Sequence, residues 1–143
     1  MQVFIIGSVI DTALSLDKKR FNKQIIEVSQ IINALRGETK AWRNHPCTLQ
    51  YRHHEEWLRL YRTSFEYLNM GKYKMAAHIS NIAERFKPEF HIEEYFNQMK
   101  RRLYQKNKKH YQQWSHLGES YENWYWSYRE NCFIKYEKGR RIQ

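Results

Sequence analysis

Four polar side chains at helical spacing form the first candidate site. The group consists of Arg20, Lys23, Gln24 and Glu27. Steps of three, one and three residues make these side chains point the same way on a helix. Two cations beside a carboxylate could hold a phosphate while the carboxylate, kept ionised, moves a proton. The alternative is a solvated helix face whose Lys23–Glu27 pair contributes about 0.2–0.5 kcal/mol.

A second polar cluster lies just before a predicted helix. Arg43, Asn44 and His45 follow Trp42 and precede Pro46, which suits the first turn of a helix. Polar side chains and an arginine beside a helix N-terminus favour binding of an anion such as a phosphate. The alternative is that Asn44 or His45 caps the helix while Trp42 packs in the core.

The C-terminal segment mixes aromatic rings with cations. Its members are Tyr121, Trp124, Tyr125, Trp126, Tyr128, Lys135, Lys138, Arg140 and Arg141. Such a mixture is typical of surfaces that stack on bases or wedge into a duplex while holding phosphates. The alternative is that the rings fill the core and the charges face solvent.

Motifs for metals and cofactors are not found in the sequence. The run His53 to Glu56 lacks the spacing of a zinc-protease helix, because adjacent helical residues point about 100° apart. Cys47 and Cys132 are too few for a structural zinc site or a disulfide framework. No glycine-rich nucleotide loop or nucleophile elbow occurs. We therefore expect neither a metal nor a cofactor.

The composition favours a polyanionic partner. The chain has 143 residues, the usual size of one domain, and a formal net charge of +10. Aromatic residues make up 16%, which adds base-stacking capacity to that charge and favours nucleic acid. The apolar stretches are too short to cross a bilayer, and no signal peptide is recognised. We expect a cytoplasmic, nucleoid-associated or phage-related location.

The periodicity of apolar residues predicts an all-α fold of about four helices. An apolar arm, Met1 to Ile6, precedes them as an edge strand or a segment tucked into the core. After His116 the chain is expected to be extended or irregular and packed back on the helices. The predicted helices run from Asp11 or Leu14 to Leu35, from Pro46 to Met70, from Tyr73 to Phe86, and from Ile92 to Tyr111.

Several of these segments resemble small proteins of the pyrimidine-dimer DNA glycosylase superfamily, which includes the phage endonuclease V type enzymes. The segment Leu16–Glu27, followed by Gln30 and Ile31, is similar to their LDxxRLxKQxxEAxQI helix. Trp42 to Pro46 is similar to their WxNHP segment. The looser matches are Lys100 to Leu103, Lys106, Asn107 and Tyr111 to SxLLRKNPxxY, and Asn123 to Trp126 to an aromatic ending.

The resemblance implies a compact helical fold in which the amino terminus attacks C1′ of a damaged nucleotide. A Schiff base forms, the base leaves, and β-elimination nicks the strand. Because Gln2 is bulky, we expect Met1 to be retained and to supply the amine. Glu27 and His45 complete the expected catalytic group. The residues expected to bind DNA are Arg20, Lys23, Gln24, Arg43, Asn44, Arg101, Arg102, Trp124, Tyr125, Trp126, Tyr128 and Lys135.

The expected substrate is damaged or modified double-stranded DNA, bound by a monomer. Two other functions remain open at this point. One is a non-catalytic nucleic-acid-binding module on the same scaffold, which predicts salt-sensitive binding without a DNA product. The other is a basic adaptor for an acidic protein, which predicts no binding to DNA at low salt.

Overall fold

The structure is a computed structural model that describes residues 1–142. Its α-helices are α1 Val9–Ser15, α2 Lys18–Leu35, α3 Pro46–Gln50, α4 Glu55–Asn69, α5 Tyr73–Ala83 and α6 Glu93–Lys106. Short 3-10 helices cover Glu84–Phe86 and Gln112–Leu117. The strands are β1 Glu122–Ser127, β2 Cys132–Glu137 and β3 Arg140–Arg141. They form an antiparallel sheet in the order β1-β2-β3.

The C-terminal sheet shows that the prediction of an all-α fold with an irregular tail was wrong. Aromatic residues suit the pleated surface of a strand, and β1 places Trp126 opposite Phe133 of β2. Lys138 and Gly139 both have positive φ, the conformation of a tight hairpin turn, and they connect β2 to β3. Most of the rings and cations that suggested an irregular DNA-binding tail therefore belong to a meander of three strands.

The first predicted helix is interrupted at Leu16 and Asp17. Leu16 has ψ 139° and Asp17 has ψ 157°, so both are extended and separate α1 from α2. The Asp17 carboxylate accepts hydrogen bonds from the Tyr111 hydroxyl and from Arg20. Its Oδ2 lies 3.0 Å from Arg20 Nη1. These tertiary bonds fix a conformation that the continuous apolar pattern did not reveal. α1 also begins earlier than predicted, because the Ser8 hydroxyl accepts from the backbone N–H of Asp11 at 3.1 Å.

The second predicted helix is likewise two helices, α3 and α4, separated at residues 51–54. His54 has φ −133°, and its Nε2 lies 2.9 Å from the Tyr128 hydroxyl. Leu49 of α3 is 41% exposed. α6 ends at Lys106, short of the predicted Tyr111, because Asn107 leaves the helical region and its Oδ1 accepts from His110 N.

The core is built on the aromatic stripe of α4. Trp57, Tyr61 and Phe65 recur every four residues, the spacing of one helix face, and all are buried. The Tyr61 and Phe65 rings stack with their centroids 4.3 Å apart. α4 packs against α1, α2 and α5. This stripe therefore supplies the support on which the N-terminal segment lies.

The N-terminal segment is a buried arm rather than a strand. Val3, Phe4 and Ile5 are at most 4% exposed and belong to the main core cluster. Their backbone forms no sheet ladder, so its polar groups need side-chain partners. None of the helices within residues 1–142 is long and apolar enough to cross a membrane.

Candidate active site

The start of the chain opens into a cleft between α2 and α6, here called the N-terminal cleft. Its volume is about 290 Å³. It is lined by Met1, Gln2, Phe4, Lys19, Arg20, Lys23, Gln24, Glu27, Arg102, Lys106 and Asn123. Six residues that the sequence placed in the site thus line the same cleft: Met1, Arg20, Lys23, Gln24, Glu27 and Arg102.

The charge of the cleft is strongly positive. Five of its lining residues are cations, namely Lys19, Arg20, Lys23, Arg102 and Lys106, and its one carboxylate is Glu27. Cations concentrated in a concave surface raise the local potential and attract phosphate groups. The cleft therefore combines an anion-binding wall with a single potential proton acceptor.

The arm is fixed to α2 through one glutamine. Gln24 is 1% exposed, its Oε1 accepts from Phe4 N at 2.8 Å, and its Nε2 donates to the Gln2 carbonyl at 2.9 Å. The Tyr61 hydroxyl lies 2.7 Å from the Phe4 carbonyl oxygen and 2.9 Å from Gln24 Oε1. Both polar atoms of Gln24 are engaged by the arm, so this residue positions the start of the chain.

Glu27 contacts the backbone of the second residue. Its Oε2 accepts from the backbone N–H of Gln2 at 3.2 Å. From the other side, the Tyr125 hydroxyl donates to the Met1 carbonyl at 2.9 Å. The first peptide unit is thus held between a carboxylate on α2 and a tyrosine on β1, and the Met1 amine is kept at the cleft.

The cations of the cleft are positioned by polar networks. Arg20 is oriented by the buried Asp17, whose other oxygen accepts from the Tyr111 hydroxyl. Burial acts to raise the pKa of Asp17, but the hydrogen bonds from Tyr111 and Arg20 outweigh it and lower that pKa. On the opposite wall, Arg102 Nε donates to Asn123 Oδ1 at 2.9 Å.

The same Asn123 oxygen accepts from Gln2 Nε2 at 2.8 Å. Gln2 is 5% exposed, and its buried Oε1 has no hydrogen-bond partner within residues 1–142. The bulky second residue is therefore folded into the wall of the cleft, and it does not block the opening.

Lys106 is the main cleft residue that the sequence patterns did not single out. It is the last residue of α6. Partial desolvation, together with the like charges of Arg102, Arg20 and Lys23, lowers the pKa of Lys106 to about 8. The spacing of four from Arg102 to Lys106 puts both on one helix face, which was the available signal. Lys19, Gln2 and Asn123 also line the cleft without having been predicted.

His45 lies beside the cleft rather than on its wall. Its Nδ1 accepts from Cys47 N at 3.0 Å, so it caps α3. Its ring packs edge-on against Tyr125, with centroids 5.6 Å apart. Burial and the positive charge of the chain terminus lower the pKa of His45, which favours the neutral ring. The terminus is thus close enough to His45 to affect its ionisation.

A second concavity, here called the aromatic cavity, adjoins the site through Tyr125. Its volume is about 370 Å³. Four predicted DNA-binding residues line it, Asn44, Tyr125, Trp126 and Tyr128. Arg52 contributes a cation whose guanidinium lies 5.2 Å from the centre of the Tyr128 ring. Rings and arginine together form a surface suited to unsaturated planar groups.

The remaining predicted residues lie apart from both concavities. Arg43 is exposed in the loop before α3. Arg101 Nε donates to the Leu117 carbonyl at 3.1 Å. Trp124 is 6% exposed, and Lys135 Nζ lies 4.7 Å from the centre of its ring. Within residues 1–142 no cluster of three His, Cys, Asp or Glu side chains has the geometry of a metal site.

The comparison with protein families agrees with the recognised motifs. Residues 1–65 match the family described as pyrimidine dimer DNA glycosylase. The matched segment contains the arm, α1, α2, α3 and most of α4, and therefore Met1, Glu27 and His45. This match confirms the resemblance of the Leu16–Glu27 and Trp42 to Pro46 segments, and the looser matches after residue 65 lie outside it. Neither a curated protein nor a solved structure matches the chain significantly.

Proposed function

From the match to the pyrimidine dimer DNA glycosylase family, we propose that this chain is a single-domain DNA N-glycosylase with AP-lyase activity. Its substrate is duplex DNA with a damaged or modified pyrimidine, and its nucleophile is the Met1 amine. The observation that carries the proposal is the Glu27 Oε2 contact, 3.2 Å from Gln2 N, inside a cleft with five cations. An amine, a carboxylate and a phosphate-binding wall meet there.

The chemistry needs no group beyond the Met1 α-amine, the Glu27 carboxylate and water. The neutral Met1 amine attacks C1′, the glycosidic bond breaks, and the base leaves with its bonding electrons and a proton. The C1′–O4′ bond then opens, the amine proton passes to O4′, and the sugar is held as an imine. Glu27 accepts a proton from C2′, and the C3′–O bond breaks with the phosphate as leaving group. Water finally hydrolyses the imine and releases the amine.

The surroundings of the amine suit a bound and distorted duplex. Lys23 and Arg102 hold phosphates on opposite walls of the N-terminal cleft, while the aromatic cavity contacts an unstacked base through Tyr125 and Tyr128. A lesion that already weakens stacking lowers the cost of distortion, which is a few kcal/mol for a flipped base. His45 is kept neutral and its Nδ1 accepts from Cys47 N, so its Nε2–H lies beside the site as a hydrogen-bond donor.

Borohydride trapping tests the proposal. The wild-type protein is incubated with duplexes that contain either an abasic site or a pyrimidine dimer, and the imine is reduced to a stable adduct. We expect an adduct with both duplexes. With the dimer-containing duplex, mass spectrometry of the digested protein should locate the adduct on the peptide that begins with Met1. Glu27→Gln should lower strand nicking by at least about 10²-fold, the usual contribution of a positioned acid or base.

The matched control is Glu38→Gln, an exposed carboxylate in the loop after α2, which should nick as the wild type does. Absence of any adduct on both duplexes would contradict the proposal. Salt-sensitive binding without adduct or product would instead favour the non-catalytic DNA-binding module. Failure to bind DNA at low salt would favour the adaptor for an acidic protein.

A further inference from the structure

The N-terminal cleft contains a second primary amine. Lys106 lies at the end of α6 and lines the same cleft as Met1 and Glu27. Its residue remains solvent-accessible, so a substrate can reach it. Within the part of the chain that the structure describes, Lys106 Nζ makes no ion pair and no hydrogen bond. The amine is therefore free to react with a bound substrate.

The surroundings of Lys106 differ from those of ordinary surface lysines. Lys108, two residues on, has its Nζ 3.1 Å from a Glu119 carboxylate oxygen, and its pKa is raised by that hydrogen bond and charge. Lys106 instead faces Arg102, Arg20 and Lys23, and its pKa falls to about 8. The Lys106 amine is therefore neutral in about half of the molecules at pH 8, whereas the amine of a free lysine is neutral in well under about one per cent.

We propose that Lys106 is a second nucleophile of the cleft and forms an imine with the C1′ aldehyde of an abasic site. The inference rests on the proposed glycosylase function, because that reaction produces such sugars. Met1 is held through its carbonyl by Tyr125, whereas Lys106 projects on a flexible four-carbon chain. A ring-opened aldehyde, which is free to move in the cleft, is suited to the more mobile amine.

The reaction balances with water alone. The neutral Nζ adds to the aldehyde carbon, and loss of one water gives the imine. Glu27 accepts a C2′ proton, the C3′–O bond breaks, and the phosphate departs with the bonding electrons. Hydrolysis of the imine consumes one water and returns the lysine amine with an unsaturated aldehyde at the 3′ end.

The test is to map the borohydride adduct on a preformed abasic duplex. The full chain, Lys106→Arg, Lys106→Met and the control Lys109→Met are trapped, digested and analysed by mass spectrometry. Lys109 is an exposed lysine just beyond the end of α6. We expect the wild type and Lys109→Met to carry adduct on Lys106, increasing with pH up to about 8. Both Lys106 variants should lose it, although Lys106→Arg keeps the charge.

The outcomes separate this inference from the proposed function. Adduct on Met1 alone, with Lys106→Arg nicking abasic DNA as well as the wild type, would overturn the inference and leave the glycosylase proposal intact. Lys106 would then only bind phosphate. No adduct on either amine, with abasic or dimer-containing DNA, would overturn both. Circular dichroism of each variant checks that the fold is retained.

Discussion

At the scale of single residues, Asp17 links the fold to the site. Its carboxylate is buried where α1 and α2 separate, and it binds Arg20, Asn107 and the Tyr111 hydroxyl. Tyr111 Oη also accepts from the backbone N–H of Asp17 at 2.8 Å. One ionised side chain therefore orients a cleft arginine and joins the start of α2 to the segment after α6.

We expect Asp17→Asn to lower the free energy of unfolding by about 1.5–3 kcal/mol at pH 7, the usual contribution of hydrogen bonds to a charged group. The folded-state pKa of Asp17 lies below its ordinary value of 3.8. A carboxyl of this kind adds stability above its unfolded pKa and loses it as the pH falls through the folded pKa. Urea denaturation at neutral and acid pH measures the difference.

The stability gap between the wild type and Asp17→Asn should therefore shrink below about pH 4. Asp11→Asn, in the exposed first turn of α1, is the control and should change the stability by no more than about 0.5 kcal/mol. A gap that is the same at both pH values would show that the charge of Asp17 does not stabilise the fold.

The sequence revealed the residues of one cleft wall and, of the opposite wall, only Arg102. Arg20, Lys23 and Glu27 share a face because helical spacing is local, and the structure places them together. Lys106 and Asn123 reach the same cleft only because α6 and β1 pack near α2. No local pattern encodes that packing, so the position of these two residues required the structure.

At the scale of elements, the attachment of the arm to α2 determines where the amino terminus lies in the fold. The arm has no neighbouring strand. The Gln24 side chain replaces that strand, because it accepts a hydrogen bond from Phe4 N and donates one to the Gln2 carbonyl. A side-chain amide can replace one step of a sheet ladder because it carries one donor and one acceptor. The Met1 amine is thus placed by a helix residue 23 positions away in sequence.

We expect Gln24→Ala to lower the free energy of unfolding by about 2–6 kcal/mol, since it leaves two buried backbone groups unpaired at about 1–3 kcal/mol each. Amide hydrogen exchange at Phe4 should also become faster. Gln30→Ala on the same helix has no such contacts and should leave both quantities near wild-type values. Unchanged protection of Phe4 would contradict the assigned role of Gln24.

The C-terminal sheet shows where element prediction failed and why. Trp124, Tyr125 and Trp126 were interpreted by their capacity to stack on bases, although the same residue types favour strands. In the structure Trp124 and Tyr125 are buried, whereas Trp126 is only partly buried. β1 and β2 pair as a local hairpin whose first pair is Ser127 and Cys132, so the signal was the strand propensity of these rings and not a helical apolar period.

At the scale of the whole molecule, part of the positive charge is gathered in one concave surface. The chain has 25 lysines and arginines, and five of them line the N-terminal cleft. Among these five, Arg20 alone has a carboxylate partner within residues 1–142. The amine and Glu27 therefore lie in a concentrated patch of positive charge. Such a distribution directs a polyanion to that side.

Lys23 tests this distribution because it is an exposed residue of the cleft wall. Each phosphate neutralised by the protein contributes about 0.9 to the slope of log K against log salt. We expect Lys23→Gln to reduce that slope by about 0.9 and to weaken binding to undamaged duplex DNA as well. Fluorescence anisotropy between about 50 and 200 mM salt measures both quantities.

Lys74→Gln removes the same charge from an exposed position of α5, which contributes nothing to the cleft, and it should leave the slope unchanged. The pair of variants separates a located phosphate contact from the effect of net charge. An equal reduction of the slope in both variants would mean that DNA binding depends on the net charge of the whole molecule. The N-terminal cleft would then not be where the duplex binds, and an amine and a carboxylate assembled there would have no strand to act on.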